Sequence, residues 1–413
     1  MVQAISKPYF ALFCFIFALH LGVFAQETES FAQEPKATPP VENSLYAEEK
    51  QRTNAGTVSI MVSALNCTCT QFAEDIRNVV NEIKPGGQRA LISIGEGGPH
   101  NLKDINFLLG VHMAIVDENT LKLLKEEDPV VYGNADEKFR YITKLYNAEF
   151  HILARKEIKS VADLDGKAVN VELKGRQTDL VATDIFRTLG IQVQPAYHDD
   201  VLAVEKLLSG ELSAIVLSTG APQESLQQLK QSDGVHFLAL DEASLPGRDV
   251  KPILTTYLPA ELTAEYYPNL IGPGETIPTV ASRMILAIYN WPENGERYNR
   301  NTLFTSEFFR KIEQFRHPSR HPKWKEVNIA AEVPGWIRFK PAQQWLDRHK
   351  ATLSPGSTKP TGSPAEKKTG FESPVENRAD ATGGQVFSPK ERERLFKEFE
   401  GFMATRKKPG ATN

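Results

Sequence analysis

The chain has 413 residues, enough for two or three domains of ordinary size. Hydrophobic residues make up 41% and charged residues 24%, and the net charge of −4 excludes the basic footprint that nucleic-acid binding usually needs. Three cysteines (Cys14, Cys67, Cys69) are too few for a disulfide scaffold, and no helix-turn-helix, zinc-finger, P-loop or dinucleotide fingerprint appears.

Residues 1–25 carry Lys7, then an apolar run over 10–19, then the small-x-small exit Val23-Phe24-Ala25. That order predicts a secretory signal peptide and a periplasmic or extracellular mature protein; an uncleaved anchor is the rival reading. Residues 26–55 are rich in Glu, Pro, Thr and Gln and read as a flexible spacer. Val58, Ile60, Val62 and Ala64 alternate as a strand. A polar loop follows, Asn66-Cys67-Thr68-Cys69-Thr70, and then Phe72, Ile76, Val79, Val80 and Ile83 at helical spacing. Residues 90–94 and 113–116 are further strands and 102–109 a short helix. Strands alternating with helices predict an α/β fold with a mainly parallel sheet.

The pattern restarts in the second half. Residues 150–154 and 167–171 read as strands, 174–178 as a polar loop, and 180–189 as a helix ending at Gly190. Residues 108–116 (LLGVHMAIV) echo 208–216 (LSGELSAIV), and Ala73-Glu74-Asp75-Ile76 echoes Ala182-Thr183-Asp184-Ile185. Two matches in the same order predict two lobes of like architecture facing each other across a cleft. The expected organisation is lobe 1 over 56–145, lobe 2 over 146–270, and a return to lobe 1 over 271–350. A disordered linker over 351–387 and an amphipathic helix over 388–407 would follow, the helix opened by Ser388-Pro389-Lys390-Glu391.

Residues 146–155 (YNAEFHILAR) lead into 158–171 (IKSVADLDGKAVNV). This resembles the signature of type II periplasmic solute-binding proteins: a hydrophobic strand ending in Arg, then Ser-Val-Ala-Asp-Leu-x-Gly-Lys. Within that group it most resembles the TAXI family, the extracytoplasmic receptors of TRAP-type transporters. The Ser218-Thr219-Gly220-Ala221-Pro222 loop is similar too. The resemblance covers about residues 57–290. It implies a two-lobed type II periplasmic-binding-protein fold, a small-solute ligand, and membrane transporter subunits as partners. Where the family has glycine-rich cleft loops, this chain has residues 65–70 (LNCTCT) and 175–178 (GRQT).

A cleft at strand C-termini presents free backbone N–H groups from helix starts, which favour an anionic ligand group. The candidate ligand-binding residues are Asn66, Thr68, Thr70, Gly97, Gly98, Asn101, Asp117, Gly175, Arg176, Gln177, Thr178 and Ser218. Each taken alone also reads as an ordinary turn or cap residue. Arg176 is the sharpest, because a guanidinium holds a carboxylate with two parallel bonds. Cys67 and Cys69 admit three readings: a disulfide in a small ring that reduces easily, two thiols, or metal or redox chemistry with His100 or His112.

The expected function is an extracytoplasmic receptor that binds a small organic anion or amino acid and delivers it to a TRAP-type transporter, with no catalysis and no cofactor. A sensor or adaptor that signals to a membrane partner on the same fold is the first alternative, favoured by the long spacer and the terminal helix, for which a docking partner is expected. An exported redox or metal-dependent enzyme is the second.

Overall fold

The computed structural model describes residues 44–353, apart from 83, 85 and 86. The expected signal peptide over 1–25, the first part of the expected spacer, nearly all of the expected linker over 351–387 and the expected helix over 388–407 lie outside the described residues. The rest of the spacer is not irregular: Ser44–Ala55 forms helix α1. Its Ala, Glu, Lys and Gln content favours helix, and it buries no residue.

Among the described residues, ten strands form one sheet: β1 (Thr57–Val62), β2 (Arg89–Ile94), β3 (Met113–Asp117), β4 (Phe139–Arg155), β5 (Ala168–Asn170), β6 (Gln194–Ala196), β7 (Ala214–Thr219), β8 (Val235–Phe237), β9 (Leu258–Thr263) and β10 (Thr276–Tyr289). The main path runs β2-β1-β3-β10-β4-β7-β5-β6, with β8 beside β4 and β9 beside β10. Read from either end, this order has one plan. Three short parallel strands, β2-β1-β3 or β6-β5-β7, lead to one long antiparallel strand, β10 or β4.

The sequence echoes fall on equivalent elements of the two halves. Residues 113–116 and 214–216 lie in β3 and β7, while the paired Ala-x-Asp-Ile segments lie in helices α2 (Thr68–Val80) and α4 (Gln177–Leu189). Between these two comes α3 (Gly98–Phe107). After them come α5 (Asp200–Ser209), α6 (Glu296–Arg310) and α7 (Lys340–Leu353).

The sheet is mixed rather than mainly parallel. β4 and β10 run antiparallel, from Phe139 opposite Tyr289 to Glu149 opposite Ala281. Each belongs to both lobes. β10 pairs β9 over 276–281 and β3 over 284–288, while β4 pairs β10 through Glu149 and β7 from Glu149 to Ala154. These two strands are the only sheet connection between the lobes, among the described residues.

Each lobe has a core on both faces of its part of the sheet, as buried parallel strands require. In lobe 1, Phe72, Phe308, Phe315 and Trp324 fill one face and Leu102, Ile105, Leu124 and Trp336 the other. Trp324 stacks on Phe72 with ring centroids 4.2 Å apart, and Trp345 packs against the same core. In lobe 2, Phe150, Ile185, Phe186 and Leu189 pack on one face, and Leu153, Leu207, Phe237 and Tyr267 on the other.

The motif over 158–171 has a local structural reason. Ser160 caps a short 3-10 turn, Val161–Leu164, and Asp163 Oδ2 accepts the backbone N–H groups of Lys159 and Ser160, each at 2.9 Å. Gly166 then takes φ +70°, which favours glycine. These residues turn the chain from β4 into β5.

Candidate functional site

The two helices that start at the cleft begin earlier than the apolar spacing predicts. Thr68, Cys69 and Thr70 form the first turn of α2 rather than a loop, and Gln177 and Thr178 open α4. Polar first turns escape an apolar-periodicity reading because their side chains carry no apolar repeat.

A cavity of about 330 Å³ lies between the lobes. Ser63, Asn66, Cys67 and Cys69 line it from lobe 1, and Tyr146 and Met284 from the two long strands. Glu172, Arg176, Gln177, Thr178, Asp199 and Asp200 line it from lobe 2, with Ser218, Thr219 and Gln223 beside them.

Of the expected residues, the cavity wall therefore brings together Asn66, Arg176, Gln177, Thr178 and Ser218. Arg176 is the N-cap residue of α4, and no side chain caps that helix. Its side chain is 17% exposed, with Nη2 3.7 Å from Glu96 and Nη1 4.0 Å from Glu172, while its buried Nε has no partner. Gln177 Nε2 reaches Ser218 Oγ at 3.2 Å and Met284 Sδ at 3.3 Å. Thr178 Oγ1 accepts the Ser218 N–H at 3.1 Å, which fixes α4 against the end of β7.

The other expected residues do not line this cavity. Thr68 is buried and crosses between the lobes: Oγ1 donates to Gly220 O at 2.8 Å and lies 3.2 Å from Thr219 Oγ1. Thr70 Oγ1 is bonded back to Ala64 O. Gly97, at φ +82°, donates its N–H to Asn101 Oδ1 at 2.9 Å, so both are turn-forming residues. Gly175, at φ +78°, donates to Asp179 Oδ2 at 2.8 Å. Gly98 and Asp117 line a second, smaller cavity of about 140 Å³, which Gln177 also borders. Asp117 accepts the Asn119 N–H at 2.7 Å and a hydroxyl bond from Ser282, and burial pushes its carboxyl up to about 6.

Cys67 is the N-cap of α2, its Sγ accepting the Thr70 N–H at 3.2 Å, and it forms a disulfide with Cys69. His112 lies buried between Ser59 N and the Arg300 guanidinium. Among the described residues, no group of three or more His, Cys, Asp or Glu is placed to hold a metal ion.

Sequence reasoning missed the acidic side of the cavity. Glu172 sits at φ +65°, an uncommon conformation for a non-glycine residue, and burial raises its carboxyl above the usual range. Asp199 caps α5 by accepting the Val201 and Leu202 N–H groups, each at 3.1 Å. Asp200, also raised by burial, accepts from Gln223 Nε2 at 2.9 Å. Among the described lining residues, Arg176 is the one base facing these three acids. The local signal at Asp199 is that of a helix cap, which does not distinguish a cleft from any other helix start.

Solved structures of similar shape include "Structure of a periplasmic transporter", at 10% identity over 72% of this chain and 95% of that one, with a TM-score of 0.42. The periplasmic aliphatic sulphonate binding protein SsuA from Escherichia coli matches at 15% identity over 70% and 82%, with a TM-score of 0.37. The periplasmic binding protein BugD matches at 13% identity over 71% and 97%, with a TM-score of 0.40. In sequence, residues 77–295 match the NMT1-like family, a span of more than half the chain. The chain therefore belongs to the NMT1-like family.

Proposed function

We propose that this protein is an extracytoplasmic solute receptor. It takes a small organic anion or amino acid into the interlobe cavity and delivers it to a membrane transporter. The observation that carries the reading is Arg176. Its guanidinium lines the cavity with only long ion pairs, its Nε has no partner, and it stands at the uncapped start of α4. A ligand carboxylate would meet both the guanidinium and the helix N-terminus there.

The volume of about 330 Å³ suits a small solute. Glu172 and Asp200, both raised by burial, favour a ligand that also carries an ammonium group. Such a zwitterion would match both signs of charge in the wall. Closure about the two long strands β4 and β10 would enclose it, a hinge motion that needs no bond chemistry. The TAXI-like segment over 146–171 makes a TRAP-type transporter the candidate partner, and residues 1–25 supply the export signal. No helix among the described residues is long and apolar enough to cross a membrane.

Native mass spectrometry of the freshly purified chain tests this. The expected result is a bound small acid or amino acid whose occupancy falls in Arg176→Ala. A chain isolated without solute, and inert in calorimetry towards amino acids and small organic acids, would overturn the reading.

A further inference from the structure

We propose that Cys67–Cys69 is a redox-active pair that latches the two lobes, opened by small thiols entering the cleft. Three observations converge on it. Both cysteines are among the residues that line the interlobe cavity. Cys67 is half-buried while Cys69 is only 3% exposed, so an incoming thiolate meets Cys67 first. Both residues lie at the start of α2, where the helix N-terminus stabilises a thiolate.

The exchange balances as follows. A small thiolate attacks Cys67 Sγ; the Cys67–Cys69 bond breaks, and Cys69 leaves with the electron pair beside the Ser63 hydroxyl, 3.3 Å away. A second small thiolate attacks the external sulfur of the mixed disulfide. It forms a small-molecule disulfide and releases Cys67 as a thiolate, which keeps the Thr70 N–H at 3.2 Å. Two electrons and two protons pass from the small thiols to the protein pair.

The latch follows from what flanks the sulfurs. Asn66 O, one residue before Cys67, accepts Gln223 Nε2 at 3.1 Å across the cleft. Thr68, between the two cysteines, donates to Gly220 O at 2.8 Å. The bridge thus holds in one geometry the two residues by which the α2 start grips the loop after β7. A Cβ at Gly220 would stand 2.8 Å from Thr68 Cγ2, so the grip is also a close steric contact. Opening the bridge frees residues 66–68 and loosens both bonds. Any consequence for solute affinity rests on the receptor reading above; the latch does not.

The experiment uses the full chain, purified in air, with and without millimolar dithiothreitol under native conditions. Alkylation is mapped by peptide, so that Cys14 is scored separately. The expected result is a bridge that reduces in the folded protein. With it, the Gln223 side-chain amide, released from Asn66 O, should exchange about tenfold faster, the scale of one hydrogen bond opening. The double variant Cys67→Ser/Cys69→Ser should exchange fast with or without reductant. If that variant does not fold, the wild-type pair of measurements still decides. A bridge that resists reduction until the core unfolds, two thiols in protein handled in air, or unchanged exchange at the Gln223 side-chain amide would each overturn the proposal. None of these readouts needs a solute, so failure of the latch and failure of the receptor reading are told apart.

Discussion

Glu149, in the middle of β4, is paired with Lys323, 174 residues further along the chain: Nζ lies 2.5 Å from Oε1, and both residues are buried. The other carboxylate oxygen accepts the Ala221 N–H at 2.8 Å. One carboxylate thus ties the last core segment and the loop after β7 to a strand that both lobes share. Burial raises the Glu149 carboxyl and the Lys323 ammonium opposes that rise. Lys323→Met leaves an uncompensated buried charge and should cost about 3–5 kcal/mol in urea unfolding near neutral pH. The loss should shrink as pH falls, because Glu149 can then take up a proton. Glu149→Gln combined with Lys323→Met should recover part of the stability. A single variant as stable as wild type would remove the hub role.

How far these features were legible depends on how local they are. The repeat over 108–116 and 208–216 placed β3 and β7, because each repeat is one strand with its entry turn. Ser160 and Asp163 read as a fold signature because their bonds span a few residues. The antiparallel seam was not legible: β4 and β10 are far apart in sequence, and their apolar runs fit either strand direction. Glu172, Asp199, Asp200 and Gln223 were missed for the same reason. They meet only when α5 and two loops converge, whereas Arg176 stood out through its chemistry alone.

His151 accounts for a pH dependence with a definite sign. Its Nδ1–H donates to Glu149 O at 2.9 Å, and its Nε2 accepts from the Tyr267 hydroxyl at 2.8 Å, which itself accepts the Gln223 N–H at 2.8 Å. Glu149 O can only accept, which puts a proton on Nδ1, and burial favours the neutral ring. Burial pulls its pKa from 6.5 down to about 4. The folded state therefore binds fewer protons than the unfolded state between those values. The contribution of His151 is full above about pH 6.5 and is lost as pH falls towards 4. His151→Gln should cost about 1–3 kcal/mol at neutral pH by leaving partners unmatched. The gap between wild type and variant should narrow with acidification. A gap constant from pH 7 to 4.5, followed by circular dichroism in urea, would be evidence against a neutral buried ring.

Gly220 tests the tightness of the contact between the lobes without touching charge. A methyl group there would stand 2.8 Å from Thr68 Cγ2 and 2.9 Å from Tyr146 Cδ2, both too close. Gly220→Ala should destabilise by about 1–3 kcal/mol through overpacking, or relieve the clash by parting the lobes. Small-angle scattering with urea unfolding reads both outcomes. A variant unchanged in shape and stability would show that the contact yields freely.

Arg176 and Asp200 should divide a zwitterionic ligand between them. Arg176→Ala should weaken binding of the recovered solute by about 1.5–3 kcal/mol in calorimetry, the range for a hydrogen bond to a charged group. The core should stay intact, because the guanidinium makes only long ion pairs. Asp200→Asn keeps the size of the side chain that accepts Gln223 Nε2 and removes its charge. It should weaken the amino solute but not the matching acid that lacks the amine, whereas Arg176→Ala should weaken both. The pH trend follows from the raised carboxyls. A ligand ammonium binds Glu172 and Asp200 in their charged forms, so protons compete with it, and affinity should fall as pH drops through their elevated range. The acid without the amine should lack that fall, and Asp200→Asn should flatten it for the amino solute. Equal losses in both variants for both compounds would mean that the acidic wall does not read an amine.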